Sequence, residues 1–147
     1  MIEVLSTGLL NSVQDQGRMG YLDIGVSTCG PIDRLAYELA NALLDNPSNA
    51  AAIEVALFPF RIKFHGDANF AVTGAVCDTK LDGMRLPPCW MRSARAGQTL
   101  TIGAPRRGAR AFLAVGGGFD VPEVLGSRAT DQKKRVRRPG RPGPEAR

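Results

Sequence analysis

Residues 53–64, IEVALFPFRIKF, decide the class of this chain. Ile53, Val55 and Leu57 alternate with Glu54 and Ala56, and Phe60, Ile62 and Phe64 alternate with Arg61 and Lys63. A period of two sends successive side chains to opposite faces of a pleated strand, so both runs read as strands with one buried face. Phe58-Pro59 bends the chain between them. Downstream, residues 69–73 read as a strand stopped by Gly74, and residues 79–86 carry Asp82-Gly83, the signal for a type I′ hairpin. Pro87-Pro88 breaks the pattern, and Trp90 and Met91 lead into a stretch with Arg92 and Arg95. Residues 99–102 and 110–115 are two further strands, the last ending at Gly116-Gly117-Gly118. Residues 2–6 supply one more at the start. Short strands punctuated by turns every ~8–12 residues indicate a barrel or a sandwich.

One helix interrupts the strands, predicted over residues 31–45. Pro31 suits the first helical position, and Asp33 falls in the first turn, where the helix dipole favours a carboxylate. Ile32, Leu35, Ala36, Leu39 and Leu43 follow the spacing of a single buried face, with Arg34, Glu38, Ala42 and Asp45 opposite. Burial of its leucines at ~1.5–3 kcal/mol each would pin the helix to the body. Asn46-Pro47 ends it, because a residue before proline avoids the helical region. A lone early helix among strands predicts a closed barrel plugged by that helix.

Ahead of the helix lies residues 13–34, VQDQGRMGYLDIGVSTCGPIDR, with four glycines among Asp15, Arg18, Asp23 and Asp33. Such a run makes a poor strand and a poor helix and reads as a long shaped loop, a kind of segment that is usually functional or disordered. Gln14, Asp15 and Arg18 are its chemical candidates. An arginine fork suits a carboxylate, carbamate or phosphate oxygen, and Asp15 serves as the acid beside it. The alternative is an Asp15–Arg18 salt bridge that staples the loop. Asp33 is either a helix-start residue or a catalytic acid. Glu54, in an otherwise apolar strand, needs a partner and is either one half of a structural ion pair or a substrate contact. Thr73, at a strand end, and Arg128, after Ser127, complete the substrate-binding candidates. Asn41 has a structural use on the helix. His65, the only histidine, has no acid or ligand at a catalytic or metal spacing and reads as a surface residue, so no metal site is expected. Cys29, Cys77 and Cys89 fit neither a disulfide framework nor a zinc site.

Several pieces together resemble a known family. Gly8-Leu9-Leu10, Val13 to Arg18, Gly20-Tyr21, Gly25-Val26, Gly30 to Asp33 and Leu39-Ala40-Asn41 are similar to the N-terminal signature of allophanate hydrolase subunit 2, also called the biotin-dependent carboxyltransferase subunit family. Glu54, Thr73-Gly74-Ala75, Leu81-Asp82-Gly83, VGGGFDVP from Val115 and LGSRAT from Leu125 follow in the family's order. The resemblance covers residues 3–131. It implies a mainly β, cyclophilin-like closed barrel with the early amphipathic helix. It also implies the C-type subunit of an ATP-dependent 5-oxoprolinase-type amidohydrolase, assembled in the cytoplasm with partners similar to that enzyme's A-type and B-type subunits. The substrate class is a small cyclic amide or urea-like carboxylate. Biotin enters only if the chain works as a urea or allophanate carboxyltransferase. A non-catalytic module docking a B-type or kinase-inhibitor-like partner is the other reading.

Charge separates the chain into two parts. Seven of its 19 basic residues and one of its 14 acidic residues lie in 133–147, so residues 1–132 hold twelve basic and thirteen acidic groups. The body therefore gives no electrostatic reason to expect nucleic acid. No run of ~18 apolar residues suggests a membrane span. The domain is expected over 1–131. The Arg/Pro/Gly-rich residues 132–147 are expected to be disordered, having nothing to bury. They read as frame-shifted text after a truncated domain, with a genuine basic appendage as the alternative.

Overall fold

The computed structural model describes residues 1–132. Its elements, in chain order, are β1 (Ile2–Ser6), β2 (Ser12–Gln14), α1 (Arg34–Ala42), β3 (Ala52–Val55), β4 (Phe60–Phe64), β5 (Ala68–Leu81), β6 (Met84–Arg85), β7 (Trp90–Ala94) and β8 (Thr99–Val115). The strands form one antiparallel sheet with the path β1-β4-β8-β3-β2, and β5 joins β8 while also carrying β6 and β7. Strand β8 turns this sheet on itself. Its first residues pair with β4, its last with β3, and β5 runs beside both ends. The result is the mainly β, barrel-like fold with one helix that the alternation predicted.

Period-two patterning is visible in the burial. Phe60, Ile62 and Phe64 are buried while Arg61 is exposed. They join Ile53, Val55, Phe70, Val72, Leu81, Leu100, Ile102, Leu113 and Val115 in the main core. Phe112 and Ala114, the alternate residues of β8, face the other way and meet Ala36, Tyr37 and Ala40 of α1. The helix therefore covers the face opposite the main core and does not plug the barrel interior.

Two strand boundaries are corrected. Gly74 does not stop a strand, because β5 continues to Leu81 through a run of register shifts that begins there. Its φ of 81° admits the kink, and the site is crowded: a Cβ there would lie 2.6 Å from the Arg110 carbonyl oxygen. Residues 99–115 are likewise one bent strand where two were expected, with Gly108 at φ 85° facing Ala75 across the kink. The hairpin at Asp82-Gly83 is as predicted, with both residues at positive φ between Leu81 and Met84.

The helix is shorter than predicted and rotated. Asp33 sits just outside it as N-cap, its Oδ1 accepting from the Ala36 N–H at 3.0 Å. The inward face is Ala36, Tyr37, Ala40 and Asn41, while Leu35 and Ile32 are 76% and 71% exposed. Small residues let the helix approach Phe112 and Ala114 closely, and Tyr37 fills the remaining depth edge-on to Phe112 at 6.3 Å. The Tyr37 hydroxyl lies 2.9 Å from the Ala50 carbonyl and 3.1 Å from that of Ser48, and Asn41 Nδ2 donates to the Ala50 oxygen at 3.0 Å.

Two tests follow from these contacts. Gly74→Ala is expected to destabilise the fold by at least about 3 kcal/mol in urea unfolding, against about 1 kcal/mol for Gly83→Ala, where a Cβ meets nothing. Equal losses would contradict the crowding at Gly74. Burial, helped by the Asp15 charge, pushes the Tyr37 phenol up to about 12 from its ordinary 10.0. The fold binds that proton more tightly than the unfolded chain, so the contribution is full below pH 10 and is lost as pH rises toward 12. Tyr37→Phe is expected to remove this alkaline loss of stability, and an unchanged pH profile would contradict it.

Candidate functional site

The loop candidates converge on a buried polar knot. Gln14, Asp15 and Arg18 are all at most 6% exposed. Asp15 Oδ1 accepts from the Gly17 N–H at 2.8 Å and from Ser127 Oγ at 2.6 Å, while Oδ2 accepts the Arg128 N–H. Arg18 donates from Nε to the Val124 carbonyl at 3.0 Å and from Nη2 to the Ala129 carbonyl at 2.6 Å. Gln14 Nε2 reaches Ser12 Oγ and the Thr130 carbonyl, and Oε1 accepts the Gly30 N–H at 3.1 Å. The expected alternative of an Asp15–Arg18 salt bridge is corrected as well. Among the described residues the two form no ion pair with each other, and each binds residues 124–129 directly. The side chains of Arg128 and Glu123 pair, and Arg128 Nε donates to the Val121 carbonyl at 3.0 Å. Arg128 also edges a shallow cavity of about 300 Å³ with Asn49 and Phe119.

A second cluster forms where the loop enters the helix. Glu54, 2% exposed, accepts the Ile32 N–H at 2.9 Å through Oε2 and Arg110 Nη1 at 2.9 Å through Oε1. The buried carboxylate thus has the partner its burial demands, and it fixes both the loop end and the arginine. Thr73 Oγ1 donates to the Ala36 carbonyl at 2.6 Å and ties β5 to the helix. Above these contacts opens a groove of about 440 Å³. Its apolar wall is Ile32, Ala75, Val76 and Ala109, and its polar groups are Asp33, Arg107 and Arg110. Arg107 is exposed, and its guanidinium has no partner among the described residues. Only Oδ1 of Asp33 is used by the cap.

Of the predicted site residues only Asp33 lines the groove, Glu54 and Thr73 are buried behind its lining residues, and Gln14, Asp15 and Arg18 gather at a different, filled centre. Neither cavity is lined by the latter three. Arg107 and Arg110 escaped the sequence reading. Their signal was the polar run RRGAR at 106–110 between apolar stretches of β8. The remaining reactive groups lie elsewhere. His65 Nε2 meets Glu3 at 2.8 Å on the surface, and burial pushes the Cys77 thiol up to about 11, which keeps it protonated. Among the described residues no group of three His, Cys, Asp or Glu side chains is placed to hold a metal ion, and no helix is long and apolar enough to cross a membrane.

Comparison with known proteins fits this architecture. The model of the carboxyltransferase domain, subdomain A and B, matches residues 24–142, extending past the boundary expected at 131 into residues outside the described ones. The C subunit of the Escherichia coli 5-oxoprolinase is 42% identical over 133 residues, covering 90% of this chain and 43% of that protein. The urea amidolyase of Saccharomyces cerevisiae is 41% identical over 130 residues, covering 88% of this chain and 7% of that protein. The crystal structure of the Kluyveromyces lactis urea carboxylase superposes with a TM-score of 0.85 at 38% identity, over 88% of this chain and 12% of the other. The chain spans less than half the length of the curated 5-oxoprolinase polypeptides it matches. With the family model matched along most of its length, the chain belongs to the carboxyltransferase domain family.

Proposed function

We propose that this chain is part of a cytoplasmic, ATP-dependent 5-oxoprolinase-type amidohydrolase, working with partners of the A and B types, and that it holds the substrate in the groove beside α1. The 42% identity to the C subunit of a 5-oxoprolinase supports the activity. The observation that carries the site is Arg107, without a partner among the described residues, lining an apolar-walled groove of small-molecule size that also contains Asp33. A small cyclic amide bearing a carboxylate suits these groups. Arg107 binds the carboxylate through two parallel hydrogen bonds, and Ile32, Val76 and Ala109 pack against the ring. Asp33 accepts the amide N–H with the oxygen its cap leaves free, and is placed to handle the proton when the C–N bond opens. Glu54 acts through Arg110 and the Ile32 N–H, holding the groove's rim in place. ATP supplies the driving force for ring opening in the assembled complex.

A second reading, carboxyl transfer from biotin to urea or a similar acceptor, is favoured by the 41% identity to a urea amidolyase. The same groove then holds the acceptor.

Isotope-edited NMR of the chain with added 5-oxoproline, urea or allophanate separates these readings. The expected result is that 5-oxoproline perturbs the amides of Ile32, Gly74, Val76 and Gly108, and that Arg107→Ala weakens this binding about tenfold or more. Perturbation by urea alone would favour the second reading. Shifts confined to residues 13–18 and 124–131, or an unchanged affinity in Arg107→Ala, would overturn the groove assignment.

A further inference from the structure

Helix α1 carries its apolar residues the wrong way round for a helix of an isolated domain. Its inward face is built from small or polar residues, Ala36, Ala40 and Asn41, beside Tyr37. Its outward residues are Leu35 and Leu39, at 76% and 40% exposure, and Ile32, just ahead of the Asp33 cap, adds a third exposed aliphatic at 71%. Leu35 and Leu39 stand at i and i+4, on one face of the helix. Val76, 38% exposed, continues the stripe across the groove that Ile32 lines. On the flank, Arg34 Nε and Glu38 Oε1 form an exposed i,i+4 pair at 2.7 Å. Two leucines on adjacent turns and an isoleucine just ahead of the helix, left in water, forgo the burial that normally holds a helix in place.

We infer that this stripe is the seat for the portion of a carboxyltransferase-domain polypeptide that this chain does not span. The family model is described by two subdomains, and the curated 5-oxoprolinase relatives are more than twice as long as the stretch matched here. A family chain therefore carries a further portion beyond the stretch matched here. The stripe is continuous with the groove, so the same portion closes the groove's open side at Ile32. The inference rests on family membership and not on the proposed substrate, so it stands or falls separately from the activity.

The test is co-expression of the full chain with the remainder of the C subunit of the Escherichia coli 5-oxoprolinase, outside the stretch matched by this chain. The two are expected to co-elute at equal stoichiometry, and Leu35→Glu with Leu39→Glu to abolish co-elution while circular dichroism of the chain stays unchanged. A Leu35→Cys variant is expected to react with maleimide freely in the chain alone and on the order of tenfold more slowly in the complex. Absence of co-elution, or co-elution and labelling indifferent to these changes, would overturn the inference. So would a chain that self-associates and reverts to a monomer on Leu35→Glu, which assigns the stripe to a second copy.

Discussion

The Asp15 carboxylate is the contact on which the rest of the structure hangs. It gathers one N–H from its own loop and two donors from Ser127 and Arg128, more than a hundred residues further along. A buried carboxylate is costly unless its oxygens are satisfied, and here both are. Arg18 complements it by donating to the Val124 carbonyl, which also accepts the Ser127 N–H, and to the carbonyl of buried Ala129. Apolar burial holds the loop little, since Met19, Leu22 and Ile24 are each about two-thirds exposed, and its other ties are hydrogen bonds such as that from the Arg18 N–H to the Thr28 carbonyl at 2.7 Å. From the knot, Gln14 fixes Gly30 and Glu54 fixes Ile32, so the helix start is set by polar contacts reaching back to β2 and β3.

The groove is a consequence of how two long strands bend. β5 and β8 run together as the longest ladder, and their kinks coincide where Gly74 and Gly108 bring backbone against backbone. The bulge lifts residues 106–110 off the regular pleat and turns Arg107 and Arg110 toward the helix start. Glu54 then restrains Arg110, while Arg107 has no partner among the described residues. The scaffold and the site are thus one construction: the same irregularity that interrupts the ladder supplies the cationic rim.

Period-two alternation revealed the strands, and the Asp-Gly hairpin was legible down to its turn. What the sequence concealed was long-range. Gly74 has the local look of a strand end, and only the Arg110 carbonyl packed against it shows that it is a bend. The helix presents two apolar surfaces, and periodicity alone does not say which one meets the sheet. The alanine face lies inward because β8 offers Phe112 and allows close approach. Asp15 and Arg18 have the spacing of a local clamp, yet their partners sit near residue 127. No short-range pattern encodes that pairing. Arg107 was hidden because only the kinked β5–β8 ladder, which sets it opposite Val76, brings it to the groove.

The glycine-rich loop is fastened to residues 124–129 through Asp15, and this fastening shapes the helix start and the groove. A double-mutant cycle with Asp15→Ala and Ser127→Ala, read by urea unfolding, tests it most directly. The single changes are expected to be strongly non-additive, with a coupling of about 1–3 kcal/mol. Additive losses, with Asp15→Ala alone leaving stability nearly untouched, would contradict it.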